Sequence, residues 1–109
     1  MPQAVIVLTT FPSDGDADAL ARTLVSERLA ACVNVLPLMQ STYRWEGAVE
    51  TASERQLIIK TEQSRLESLE QRLAALHPYD IPEMLVLAVA DGGEGYLRWI
   101  AESTATRST

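Results

Sequence analysis

A chain of 109 residues, 47% of them hydrophobic, has the length of a single domain and enough apolar material for a core. Nine Lys and Arg against fifteen Asp and Glu leave a formal charge of −6, which argues against nucleic acid, because phosphate backbones are bound by clustered cations. The one cysteine, Cys32, permits no internal disulfide, the start MPQAVIVLTT has no basic residue before its apolar run, and no apolar run approaches a membrane span. The expectation is one cytoplasmic domain over 1–109 with no membrane partner.

Residues Ala4 to Thr10 (AVIVLTT) are apolar and β-branched without alternation, the pattern of a strand covered on both faces. Phe11-Pro12-Ser13-Asp14-Gly15-Asp16 turns the chain into a helix over 14–30, with Ser13 as its cap and Asp14, Asp16 and Asp18 near the positive end of its dipole. Cys32 to Trp45 (CVNVLPLMQSTYRW) is a second strand, on an edge or bulged at Pro37, which has no N–H to give a ladder. Glu46-Gly47 makes a tight turn, and Ala48 to Thr61 returns as a third strand. Ser64 with Glu67 forms a capping box before a second helix striped with Leu66, Leu69, Leu73 and Leu76, which His77-Pro78 stops. Met84 to Ala90 (MLVLAVA) is a fourth strand, Tyr96 to Glu102 a last helix, and Ser103 to Thr109 a polar, frayed tail. The fold class is α+β: β-α-β-β-α-β plus one helix, the ferredoxin-like arrangement with an antiparallel sheet.

Two features call for self-association. The second and fourth strands of such a sheet lie at its edges, and an edge reading MLVLAVA, with no charge or proline, is a liability in a lone chain. The hairpin is also overlong: fourteen residues per arm extend roughly 46 Å, against a radius of gyration of about 13 Å for a domain of this size. Strand addition between neighbours in a closed symmetric oligomer covers both. The alternative is a hairpin that folds back on its own chain at Pro37.

Cys32 and His77 are the only soft or borderline metal ligands apart from methionine, and no C-x-x-C or H-E-x-x-H spacing accompanies them. One chain therefore cannot encage copper or zinc from these two alone. A symmetric oligomer multiplies each ligand and lets His77 meet carboxylates of a neighbour, so Cys32, His77 and Glu83 form the candidate metal set. Against this, Cys32 between Ala31 and Val33 reads as a buried small hydrophobe, and His77 as a helix C-terminal cap. A second cluster, Tyr43, Trp45, Glu54, Lys60, Tyr79, Tyr96 and Trp99, combines aromatics with charge. It is either packing between subunits or a polar intersubunit pocket, in which Lys60 would pair with Glu83. No GxSxG elbow, triad or P-loop lysine is present, so no enzymatic activity is expected.

In order along the chain, LAACVNVLP, STYRWEG, the E-x-x-LIIKT segment, HPYDIPE and YLRWI closely resemble the CutA family, from Thr9-Thr10 to Ile100. The resemblance implies a ferredoxin-like fold, a very stable homotrimer and divalent-cation tolerance, with copper the usual ion and no obligatory cofactor. Leu38 stands where a glycine is common and Arg44 where an aromatic is common. The additional cysteine that some relatives have before the first helix is absent, which weakens a cysteine-based copper site. The other reading, also a ferredoxin-like trimer with ligands in shared clefts, is a signalling module like the PII nitrogen regulators.

Overall fold

The computed structural model describes residues 2–106. It is a mixed α+β chain with one antiparallel sheet and three helices. The elements are β1 (Ala4–Pro12), α1 (Ala17–Ser26), β2 (Cys32–Val35), β3 (Met39–Trp45), β4 (Ala48–Glu62), α2 (Leu66–Leu76), β5 (Leu85–Ala88) and α3 (Glu94–Thr104). The sheet runs β2-β4-β1-β5, with β3 pairing the outer half of β4.

One face of the sheet carries the core. Val5, Val7 and Phe11 of β1 alternate with partners of the opposite face, as do Leu57 and Ile59 of β4, and they pack against Leu20 and Leu24 of α1 and Leu69 and Leu73 of α2. On the other face α3 covers only one end, where Ile100 meets Ala4 and Ala31. The rest of that face, and all of β5, is left open: Leu85 is 56% exposed and Leu87 51%. The fourth predicted strand does lie at an edge, paired to β1 alone, though the ladder takes in only Leu85–Ala88 and not all of 84–90.

The predicted second strand is two. Leu36 still donates its N–H to Gln56 O at 3.0 Å, but Pro37 has none to give, and pairing resumes only at Met39 opposite Glu54. From there β3 and the start of β4 form a two-stranded ribbon that reaches past the sheet. It does not fold back on its own chain. The principal extents are 47 × 30 × 23 Å and the radius of gyration is 14.8 Å, above the value of about 13 Å for a compact chain of this length. Trp45, at the ribbon's end, is 44% exposed. Glu46 and Gly47 have φ of 49° and 81° and join directly paired Trp45 and Ala48, the geometry of a type I′ turn.

Several helix ends differ from the sequence expectation for local reasons. Asp16, not Ser13, caps α1, accepting from Ala19 N–H at 2.9 Å; the Ser13 N–H is spent on Ser53 O. The helix ends at Ser26 rather than 30, in a Schellman motif: Leu29 N–H reaches Leu24 O at 2.9 Å and Arg28 N–H reaches Val25 O at 3.1 Å. Arg28 takes the left-handed position there, with φ 61°, and no glycine signals it. The Ser64–Glu67 capping box does not form, because Gln63–Arg65 makes a 3-10 turn whose backbone supplies those bonds, and α2 starts without a side-chain cap. At the other end α3 runs through Ser103 and Thr104, expected as frayed tail: Thr104 is buried and its hydroxyl donates to Ile100 O at 2.9 Å. Residues 107–109 of that expected tail lie outside the described residues.

Left-handed backbone at a non-glycine residue costs about 1–2 kcal/mol. Arg28→Gly should therefore raise stability by about 0.5–1 kcal/mol, after the entropy glycine loses on folding, and Glu46→Asn should raise it by a few tenths. Shifts of the urea midpoint at constant slope are the measurement; a fall in midpoint for Arg28→Gly would contradict the account of the helix end.

Candidate functional site

The ten residues expected to carry function fall into three places on the structure. The first lies where β4 leaves the sheet to become the ribbon. Glu54 stands between its cross-strand neighbours Pro12 and Met39 and is only 8% exposed. Tyr79 donates its hydroxyl to Glu54 Oε2 at 3.1 Å. Its backbone N–H donates to His77 Nδ1 at 3.1 Å, so the proton of the neutral ring belongs on Nε2, which donates to Thr10 O. The His77 ring is 7% exposed and packs edge-on to Phe11 at 5.1 Å and tilted to Tyr79 at 4.8 Å. His77 does cap α2, but through its backbone N–H to Leu73 O at 2.8 Å; the ring is used elsewhere. Burial, the hydrogen bond to Glu54 and the charge of Glu54, in that order, push the Tyr79 phenol up to about 12, so Tyr79 is a neutral donor at ordinary pH.

Glu83 closes the same loop. It accepts from Gln56 Nε2 at 3.0 Å, while Gln56 also donates to Thr9 O at 2.7 Å. Gln56, Thr10 and Phe11 were not singled out by sequence. The signal available was strand spacing alone: Gln56 shares the face of Glu54 and lies opposite Thr10.

The second place is the inner end of β4. Cys32, Lys60 and Ile6 are cross-strand neighbours there. Lys60 Nζ lies 5.8 Å from the centroid of the Tyr96 ring, and Tyr96 packs on Trp99 at 5.3 Å. Lys60 does not pair with Glu83 within the chain. Glu83 belongs to Gln56, and four residues of strand, roughly 13 Å, separate Gln56 from Lys60. Cys32 is half-buried rather than enclosed, 3.9 Å from Asn34 Oδ1, so the reading of a buried small hydrophobe does not hold. The third place is the ribbon's end, where Tyr43 and Trp45 are exposed on one face.

The chain by itself does not bring Cys32, His77 and Glu83 together. Cys32 sits opposite Lys60 and His77 beside Thr10, again roughly 13 Å apart along the strands. Among the described residues no three His, Cys, Asp or Glu side chains are grouped to hold a metal ion, and both ring nitrogens of His77 are engaged. The residues of one chain do not fit a resident metal.

A model of the CutA1 divalent ion tolerance protein family matches residues 5–103. The divalent-cation tolerance protein CutA of Thermus thermophilus is 46% identical over 99 residues, which are 91% of this chain and 96% of that protein. The chloroplastic CutA protein of Arabidopsis thaliana is 45% identical over 93% of this chain, which spans 56% of the plant protein's length. The crystal structure of CutA1 from Oryza sativa superposes with a TM-score of 0.91 at 41% identity, covering 96% of each chain.

Tyr79→Phe should cost about 1–2 kcal/mol near neutrality, since it leaves a buried carboxylate without its donor. The phenol is raised from 10.0 to about 12, so this stabilisation is complete below pH 10 and is lost as pH rises through about 12. Urea unfolding of both proteins across that window should show their difference shrinking with pH; a constant difference would place the phenol outside the network.

Proposed function

Because the chain belongs to the CutA1 divalent ion tolerance protein family and shares its role in divalent-cation tolerance, we propose that it acts as a cytoplasmic homotrimer that binds divalent ions, copper first, weakly and as cargo. The observation that carries this reading is the open side of the protomer. Leu85, Val86 and Leu87 form an apolar strand whose outer edge has no partner among the described residues, and the ribbon, on the other side of the sheet, ends in exposed Tyr43 and Trp45. Unpaired strand edges and exposed aromatics are what neighbouring copies cover by strand addition.

Ion binding then draws on several copies. Each contributes one half-buried thiol, Cys32, and the carboxylate of Glu83; His77 joins an ion only by giving up its bond to Thr10 or to Tyr79. Lys60, Tyr96 and Trp99 beside Cys32, and Tyr43, Trp45, Glu54 and Tyr79 at the ribbon, line the shared clefts in this reading. A soft thiolate favours copper over harder ions. A small number of ligands per copy keeps the affinity modest and release possible. No enzymatic reaction is assigned. The single cysteine and the absence, among the described residues, of a helix long and apolar enough to cross a membrane agree with a cytoplasmic setting.

Sedimentation across dilution should give a particle of about three times the 12.0 kDa chain. A well-behaved single-chain particle at micromolar concentration would end the shared-cleft reading. Calorimetric titration of the trimer with copper should give a whole-number stoichiometry, and Cys32→Ser should weaken it about tenfold or more. If a small anionic metabolite raises the melting temperature and copper does not, the PII-like signalling reading replaces this one.

A further inference from the structure

Besides Glu62, at 5% exposure, Glu54 is the carboxylate that the ion-binding account leaves enclosed and without a counterion among the described residues. It is 8% exposed, flanked by Pro12 and Met39, and its only hydrogen bond among the described residues is the neutral Tyr79 hydroxyl on Oε2. Buried carboxylates are ordinarily matched by a cation or by several donors, because removing the charge from water costs several kcal/mol otherwise. The two ion pairs among the described residues, Arg72–Glu27 and Arg98–Glu94, lie elsewhere. Arg55, next along β4, points its guanidinium to Leu36 O at 3.2 Å instead.

We propose that Glu54 is a receptor for one hydrogen-bonding organic cation, an ammonium or guanidinium group, delivered from outside the chain. Its other oxygen, Oε1, has no side-chain partner and offers the acceptor. It keeps solvent contact, since no fully buried side-chain oxygen among the described residues is unpartnered. Tyr79 fixes the carboxylate's orientation through Oε2, and Tyr79 is itself held by the relay of its N–H to His77 and of His77 to Thr10. The receptor is thus preorganised before the cation arrives. A bare metal ion fits less well. One carboxylate oxygen is a single ligand where three or more are wanted, and the Tyr79 hydroxyl, neutral until about pH 12, donates rather than coordinates. An ammonium has three N–H donors and can give one to Oε1 while water takes the others. An anionic metabolite is disfavoured by the same carboxylate and by Glu83, which holds Gln56 on the same strand face. The cation can come from two sources. A second copy can supply it through an arginine outside both ion pairs, such as Arg44, exposed near the ribbon's end. A free amine can supply it too.

The location rests on the shared-cleft reading, but the experiment separates the two. Full-length wild type and Glu54→Gln are compared by sedimentation across dilution, with urea added to bring dissociation into range, and by thermal shift with butylammonium chloride against neutral butanol. Glutamine keeps an acceptor for Tyr79 and removes only the charge. If a second copy supplies the cation, Glu54→Gln dissociates at a concentration about tenfold or more higher and butylammonium stabilises neither protein. If the cation is free, association is unchanged and butylammonium, not butanol, raises the melting temperature of wild type alone. Equal behaviour of the two proteins in both measurements overturns the proposal. A chain that proved monomeric would remove the shared clefts and leave the butylammonium comparison as a test of Glu54 alone.

Discussion

The ladders of a single strand hold the molecule together. The fifteen residues of β4 pair with β1 along its inner part, with β2 on the opposite side and with β3 along its outer part. Side chains alternate with a period of two along a strand, so a slip of one residue would send Leu57 and Ile59 out of the core and put Ile58 and Lys60 in. The apolar core therefore fixes the register of every polar group on the far face. Glu54, Gln56 and Lys60 stand where they do because their neighbours in sequence are core residues. The candidate site is thus positioned by the packing of the sheet's reverse side.

The same strand explains why the two ends of the far face behave differently. At the inner end α3 lies across the sheet, giving Lys60 an aromatic neighbour in Tyr96. At the outer end no helix covers the sheet, and the loop from His77 to Glu83 does the work instead. That loop has Pro78 and Pro82 but no ladder, so it depends on side chains for order. His77, bonded at both ring nitrogens and seated against Phe11, is its anchor. Removing the ring would leave the Thr10 carbonyl and the Tyr79 N–H without their partner at once.

How much of this was legible in the sequence follows from what each signal measures. Runs such as AVIVLTT and LIIKT report burial on a sheet, and burial is a property of each residue in its own place, so strands, order and the exposed edge could be read directly. Pro37 announced a break because the missing N–H acts locally. The left-handed turn at Arg28 was invisible because the residue is not glycine; the core position of Leu24 and Leu29 imposes it. The site was legible as residue types but not as pairs. Lys60 and Glu83 are attractive partners by charge, yet the pairing depends on register. Four residues of strand set them apart, and a glutamine with no charge signal takes Glu83 instead. Cys32 read as core from its flanks Ala31 and Val33, but the alternation that packs Val33 and Val35 against the main core turns Cys32 to the opposite face.

The placement of charge and of apolar surface bears on what the chain does with ions. A net charge of −6 spread over a surface attracts divalent cations diffusely, and this attraction is screened within about a Debye length. Selectivity needs fixed donors, and the soft donors of one chain are too few and too far apart to provide it. In the proposed assembly, the exposed Leu85, Val86 and Leu87 and the ribbon's aromatics would bring further donors within reach, since burying them against other copies is favourable at about 25 cal/mol per Å². Association driven by apolar surface would then assemble polar sites that no single chain can build. The energetic source of assembly and the chemical source of ion selectivity are distinct, so a substitution in the apolar edge would abolish binding without touching a ligand, whereas a substitution at Cys32 would change binding in an intact assembly.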